Sequence, residues 1–303
     1  MLRRRTRSIG LAAALLLAGA ACDTFAGVSI SVPDPNTAIA DISLTDAQSN
    51  TYSATVTIHF DHAVDLSPDS IGIDAALFDP AAPPGTLPFN VAVDPNFPVV
   101  VTVEPPTILF ANGYEPGQTG DGNLAFFNTY EIEVHTPDLA CGSATSSYRL
   151  FKAAHGSNVF ADVTDALYQG SVRARGRGGS FSRFLVASDT RNLTTLAVQK
   201  LADLSTRLTL SAISDPLLLT QLTTLLGNVS FDLLTLNIGG ALGQLQVFIN
   251  DVTAAAGVSI ANEWKSDRSV VNDAGELLSL AQTLQFTLRL LQGSSALCVP
   301  PPT

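Results

Sequence analysis

The period of the apolar residues changes once along this chain, and that change limits what it can fold into. In YSATVTIHF, residues 52–60, Ala54, Val56, Ile58 and Phe60 alternate with Thr55, Thr57 and His59, the two-residue period of a half-buried strand. FPVVVTV (97–103), YEIEVH (130–135) and SYRLF (147–151) are further strands, set apart by DPAAPPG, VDPNFP and GYEPGQTGDGN. The prolines fall between the strong strand runs, as ladder hydrogen bonding demands. Short strands with turn signals at this spacing predict an antiparallel sandwich.

From about Asp189 the period becomes helical. Leu193, Ala197, Leu201, Leu204 and Leu208 form one stripe. Asp215-Pro216 opens a second helix as N-cap and first-turn proline, with Gly227 as its stop. A third stripe runs through Phe231, Leu234, Ile238, Leu242, Leu245 and Ile249. Asp273-Ala-Gly-Glu276 is similar to a capping box and opens a fourth, buried through Leu277, Ala281, Leu284, Leu288 and Leu291, with Gly293 as C-cap. Four such helices predict a small bundle. The expected fold class is therefore α+β multidomain, with an N-terminal antiparallel Ig-like β-sandwich followed by a C-terminal helical bundle. Its expected parts are a signal peptide (1–21), an anchor and short tether (22–27), the acidic sandwich (28–155), a basic Gly/Arg-rich linker or hairpin (156–188), the bundle (189–293) and a tail (294–303).

The sandwich is acidic in a way the net charge of −11 conceals. Residues 23–148 hold 12 Asp and 4 Glu with no Lys or Arg, a net −16, whereas residues 149–303 hold 12 basic and 11 acidic residues, a net +1. Such a surface repels phosphate backbones, so nucleic acid is an unfavourable partner. It attracts divalent cations or a basic partner, or simply keeps an extracellular β-domain in solution.

At the N-terminus, Arg3, Arg4, Arg5 and Arg7 precede an apolar run from Ile9 to Ala18, shorter than the roughly 20 residues a membrane span needs. Together with the small residues that follow, this reads as an export signal. Ala18-Gly19-Ala20 fits ordinary signal peptidase. Gly19-Ala20-Ala21-Cys22 resembles a bacterial lipoprotein box, in which the cysteine becomes the acylated first residue, although Gly19 stands where leucine is usual. The chain has three cysteines, Cys22, Cys141 and Cys298; acylation of Cys22 leaves an even pair for a disulfide in an oxidising compartment. Asp23 resembles an inner-membrane retention signal of enterobacterial-type sorting, yet the outer membrane is preferred over the periplasmic face of the inner membrane as the expected address.

ATVTIHFDHAVDLSPDSIGI (54–73), with its alternation into Phe60 and then Ala63-Val64-Asp65 and Ser67, resembles the bacterial Ig-like domains of surface-layer and envelope proteins. Tyr130 to Val134 is similar to that family's late strand. The resemblance covers residues 28 to about 155 and is interrupted by a proline-rich insertion (79–98) and a glycine-rich loop (112–123). It implies a spacer or binding module and supplies no catalytic residue.

The remaining chemistry is sparse. His59 and His62 lie three apart in a strand and face opposite ways. Glu115, Asp121 and Asn123 offer oxygen ligands suited to calcium, without EF-hand spacing. No G-x-S-x-G elbow exists, Gly178-Gly-Ser180-Phe-Ser182 failing at the last position, and His155-Gly-Ser157 has no evident aspartate. Gly239-x-x-x-Gly243 sits in an apolar run whose Asp232, Asn237, Gln244 and Gln246 disfavour lipid, so close helix packing in a soluble bundle is expected. Arg173, Arg175, Arg177 and Arg183 are candidates to contact an anion or lipid head group, or to neutralise the sandwich. The expected function is a membrane-anchored, non-enzymatic structural or interaction subunit of the cell envelope. It would have no catalytic residue, no metal and no cofactor, with the membrane and an envelope protein as partners. The alternatives are an apolar-ligand binder, or an envelope enzyme with a site in the helical half.

Overall fold

The computed structural model describes residues 25–106, 124–141, 146–168 and 170–293. Its strands are β1 (Phe25–Asp34), β2 (Thr37–Thr45), β3 (Thr51–Val64), β4 (Ile73–Leu77), β5 (Val91–Ala92), β6 (Val99–Val103), β7 (Ala125–Cys141), β8 (Tyr148–Ala154), β9 (Ala161–Asp162), β10 (Thr164–Tyr168), β11 (Gly170–Gly178), β12 (Ser182–Asp189) and β13 (Glu263–Lys265). Its helices are α1 (Pro68–Ile71), α2 (Leu193–Leu210), α3 (Pro216–Leu234), α4 (Ile238–Ala255) and α5 (Asp273–Leu291).

The strands form two antiparallel sheets. The first runs β1-β2-β3-β7-β11-β10, with β13 also on β7; the second runs β4-β6-β12-β8-β9, with β5 on β12. Strand β7 is the hub of the first sheet. Tyr130, Ile132 and Val134 point into the shared core, while Glu131, Glu133 and His135 lie on the outer face. The long apolar run Phe184-Leu185-Val186-Ala187 of β12 is covered on both faces. Phe184 and Val186 meet the first sheet, whereas Leu185 and Ala187 pack with Val93, Phe151 and Phe160. A continuous apolar strand of this kind is what double-sided burial requires.

This architecture corrects the expected Ig-like sandwich followed by a separate bundle. The first sheet continues through β11 to Gly178 and the second through β12 to Asp189, so β9 to β12 arise almost wholly from residues expected to link two domains. The alternation of Val172 and Ala174 with Arg173, Arg175 and Arg177 belongs to a strand at the heart of the first sheet. Nor do the helices stand apart: α5 packs on β7, β10 and β11 as well as on α2 and α4. Between α4 and α5 the chain returns to the sheet as β13, which sets Trp264 opposite Phe126.

Three helix details also differ from expectation. α3 runs through Gly227, where a side chain would meet open space, to Leu234; one glycine costs about 1 kcal/mol in a helix and need not end it. The third stripe is divided instead at Leu236, which is in the left-handed region (φ 58), and Asn237 caps α4 through Gly240 N. Gly239 and Gly243 mediate no close packing, since a Cβ on Gly243 would touch nothing and one on Gly239 only the end of Gln292.

Directions within the fold define two ends. α5 runs in the same sense as β7. Its cap Asn272 bonds Asn128 near the start of β7, and Thr283 bonds Thr164, which lies across Gly176 from Ile132. α4 runs against α5, with Gln246 bonded to Gln285 and Gly239 beside Gln292. β1 starts at Phe25, level with Thr45 and Thr51, and Ser53 bonds Asp138 near the end of β7. The start of β1, Cys141, the end of α5 and the α3–α4 turn therefore lie toward one end. The first turn of α5 lies toward the other.

Candidate functional site

The first turn of α5 is pressed onto the β11–β12 turn and the start of β7. Glycine makes this possible: a Cβ on Gly179 would collide with the Glu276 backbone nitrogen, and one on Gly275 with the Asn128 carbonyl oxygen. The helix cap is Asn272, not the expected Asp273. Asn272 Oδ1 accepts from Gly275 N at 2.8 Å, and its side-chain amide donates to Asn128 O at 2.6 Å.

Freed from capping, Asp273 and Glu276 do other work. Asp273 pairs with Arg207 of α2 and accepts from Ala212 N at 3.0 Å. Ser180 donates to Glu276 Oε1 at 2.6 Å, and Lys152 Nζ lies 3.6 Å from that oxygen and 3.5 Å from Ser180 Oγ. The Tyr130 hydroxyl donates to Ser180 O at 2.7 Å. A cavity of about 260 Å³ opens beside this cluster, lined in part by Phe181, Trp264, Arg207 and Arg268, with Glu104 and His155, 3.2 Å apart, also on its wall. Trp264 stacks on Phe126 and meets Phe181 edge-on at 4.9 Å, giving the cavity a rigid aromatic wall.

A second pair is buried deeper along α5. Lys200 Nζ lies 2.7 Å from Asp162 Oδ2, with side chains 5% and 1% exposed, and donates to Thr283 Oγ1 at 2.7 Å. Burial opposes both charges. It lowers the Lys200 ammonium below its usual value, while the Lys200 and Arg149 cations outweigh burial at Asp162 and hold that carboxyl low. Glu276 behaves likewise: against burial, Lys152, the Ser180 hydroxyl and Arg207 keep its carboxyl below the usual range. Carboxylates held this way stay ionised and are poor proton acceptors near neutral pH. The cluster acts as a set of ionic clamps between α2, α5 and the sheets.

The four arginines expected to meet an anion do not form one patch. Arg173 pairs with Glu133 at 3.2 Å, and Arg175 and Arg177 both reach Asp165 at 3.0 Å and Glu131 at 3.2 and 2.7 Å, all on the outer face of the first sheet. Arg183 instead donates to Pro84 O, Ser157 O and Asn158 Oδ1 and lies over the Phe160 ring. Cys141 is buried at the end of β7. Cys22, Cys298 and the calcium candidates Glu115, Asp121 and Asn123 lie outside the described residues. Among the described residues no group of three or more His, Cys, Asp and Glu is placed to hold a metal ion.

Reading the sequence missed Ser180, Lys152, Glu276 and the Lys200–Asp162 pair. One signal was available: Lys200 falls on the apolar stripe of α2, between Ala197 and Leu204. A cation there requires a buried partner. The chain belongs to the Family of unknown function (DUF6689), whose family model matches residues 11–292. No curated protein and no solved structure matches it.

Proposed function

We propose that this family member is an exported lipoprotein, anchored by acyl chains on Cys22, that serves as a non-enzymatic interaction subunit of the bacterial cell envelope, preferably at the outer membrane. The observation that supports it best is the α5 cavity. Arg207 is paired with Asp273 and Glu276 with Lys152, the cavity wall is aromatic, and its backbone is locked by glycine contacts, so it presents a fixed relief for a partner. Arg268 and Val271 are exposed beside it, Val271 by 57%. The cavity lies toward the end of the fold away from Phe25, so an anchored molecule would hold it away from the lipid.

Two experiments test this. Cys22→Ser should abolish acyl labelling and move the protein from the detergent phase to the aqueous phase; an unlabelled wild type beginning at Ala21 would refute the anchor. Affinity capture from envelope fractions should recover a partner with the wild type and lose it with Arg268→Glu combined with Val271→Asp. Equal recovery by that variant would rule out the cavity as the docking site.

We also assign Cys141 a disulfide partner in Cys298. α5 and β7 run the same way and finish toward the same end, and the tail from Gln292 to Cys298 can extend about 20 Å. Such a bond closes a loop that the chain-entropy account values at about 4–5 kcal/mol. Non-reducing peptide mapping should yield one linked peptide, and separate alkylatable peptides would disprove the pairing.

One observation favours a second reading, an envelope enzyme: the Ser180 hydroxyl donates to a carboxylate beside an ammonium group. In that case a serine-reactive phosphonate should label Ser180, and Ser180→Ala should block the label. The depressed Glu276 carboxyl makes it a weak base, which favours the first reading.

A further inference from the structure

An exposed apolar cluster toward the Phe25 end of the fold is the α3–α4 turn, where Phe231, Leu234 and Leu236 are 66%, 81% and 75% exposed. This turn is built rather than frayed. Asn237 N donates to Asp232 O at 2.8 Å, the Asn237 amide donates to Asp232 Oδ1 at 2.8 Å, and Gly240 N donates to Asn237 Oδ1 at 3.1 Å. These bonds hold Leu236 in its left-handed conformation and set the three apolar side chains around the turn. The nearby carboxylate, Asp232, is occupied within it.

The surroundings are electrically quiet. From Leu208 to Trp264 the sequence has no Lys or Arg, and its only acids are Asp215, Asp232, Asp251 and Glu263. The exposed face of α3 between its ends carries Thr220, Gln221, Thr223, Thr224, Asn228 and Ser230, all uncharged. α3 is 19 residues long, and its one charged residue is Asp232. It is capped at Asp215, paired along its length with α4 and closed by the turn, so it stands as one arm of a hairpin with an apolar tip.

We infer that this tip is a second membrane contact, inserting into the surface of the bilayer that holds the Cys22 acyl chains. The inference rests on the lipoprotein reading above. Cys22 lies three residues from Phe25, within about 10 Å of it along the chain, and Phe25 lies toward the same end of the fold as the tip. An acyl anchor turns tip insertion into an intramolecular event, so a contact too weak to bind membranes alone suffices. Three apolar side chains on a turn without a cation, whose one carboxylate is hydrogen-bonded by Asn237, suit a neutral bilayer interface and gain little from anionic lipid. Two-point attachment would fix how the molecule stands and keep the α5 cavity turned away from the lipid.

The test uses the full acylated chain in vesicles of phosphatidylcholine and phosphatidylethanolamine. With Leu236→Trp, emission from the new side chain should shift to the blue and fall about twofold or more with acyl-brominated lipids, as interfacial burial of 5–10 Å implies. The native Trp264, 5% exposed in the aromatic core, serves as the unquenched control in the wild type. Flotation of each sample reports the anchor separately. Flotation with quenching supports the tip. Flotation with unquenched Leu236→Trp emission overturns it, and is also the result expected if the tip docks on a protein. No flotation and no acyl label would overturn the anchor and the tip with it.

Discussion

On the outer face of the first sheet, Arg173, Arg175 and Arg177 bridge Glu131, Glu133 and Asp165, with most of these side chains between 22% and 36% exposed. Along α5, Lys200 and Asp162 make the same kind of bond with almost no exposure. Both networks join carboxylates to cations, yet they differ in kind. Outside, water already solvates the charges and the bonds add little to what is lost from it. Inside, each charge depends on its partner, because the desolvation of an unpaired ion cannot be recovered. The ladder therefore tunes a surface, whereas the buried pair dictates how α2 and α5 must seat on β9 and β10.

The largest effect should come from breaking the buried pair on one side. Lys200→Met takes from buried Asp162 its contact cation, leaving only the more distant Arg149, leaves Thr283 short of a donor, and should cost about 3–5 kcal/mol in urea unfolding. Replacing both partners with apolar residues of similar volume should recover much of that loss. If Lys200→Met costs no more than an exposed ion pair, the contrast between the two networks collapses.

A middle-sized effect should appear in acid. The Asp162 and Glu276 carboxyls are held below their ordinary values in the folded protein. Their contribution is thus complete above the unfolded-state carboxylate range, about pH 4, and is lost as pH falls through the lower folded values. Asp162→Asn should be less stable than wild type at neutral pH but show a shallower decline below about pH 4. Parallel curves for the two proteins would mean that Asp162 is not what acid attacks.

The sequence disclosed some of this and hid the rest for identifiable reasons. β3 was legible because Ala54, Val56, Ile58 and Phe60 are buried and the residues between them are not. A two-residue period needs one solvated face. β12 lacks such a face, and the neighbouring arginines made its surroundings look like a linker. Yet Arg173, Arg175 and Arg177 are spaced by two because they sit on a strand, opposite carboxylates supplied by β7 and β10. Spacing was visible, but partners 10 to 46 residues away were not. At α5 the helix was plain from its leucines, while its cap was misassigned by one residue. Both Asn272 and Asp273 are good caps, and only the tertiary contacts of Asp273 with Arg207 and Ala212 decide between them. The α5 cavity draws its residues from the end of β6, the turn after β8, the β11–β12 turn, α2, β13 and α5, so no local pattern could have announced it.

The smallest effect, and the one that grades the comparison, belongs to the ladder itself. Arg173 meets a single carboxylate, Glu133, and at 36% exposed it is well solvated. Arg173→Gln should cost about 0–1 kcal/mol, and the cost should fade as salt is raised toward 1 M, where screening acts within about 3 Å. Asp165 is different. Its side chain is 9% exposed and accepts from both Arg175 and Arg177. Asp165→Asn removes the shared acceptor charge and leaves two guanidinium groups facing each other, with Glu131 alone between them. Its cost should exceed that of Arg173→Gln and persist more in salt, though it should remain below that of Lys200→Met. The three variants form a series ordered by how little water reaches the carboxylate. Measuring them at low and high salt tests burial against mere proximity, because their ion-pair distances of 2.7–3.2 Å barely differ. If the costs are equal across the series, distance governs these bonds and burial does not. If salt sensitivity falls in step with exposure, the low dielectric around α5 is what turns an ordinary ion pair into a determinant of the fold.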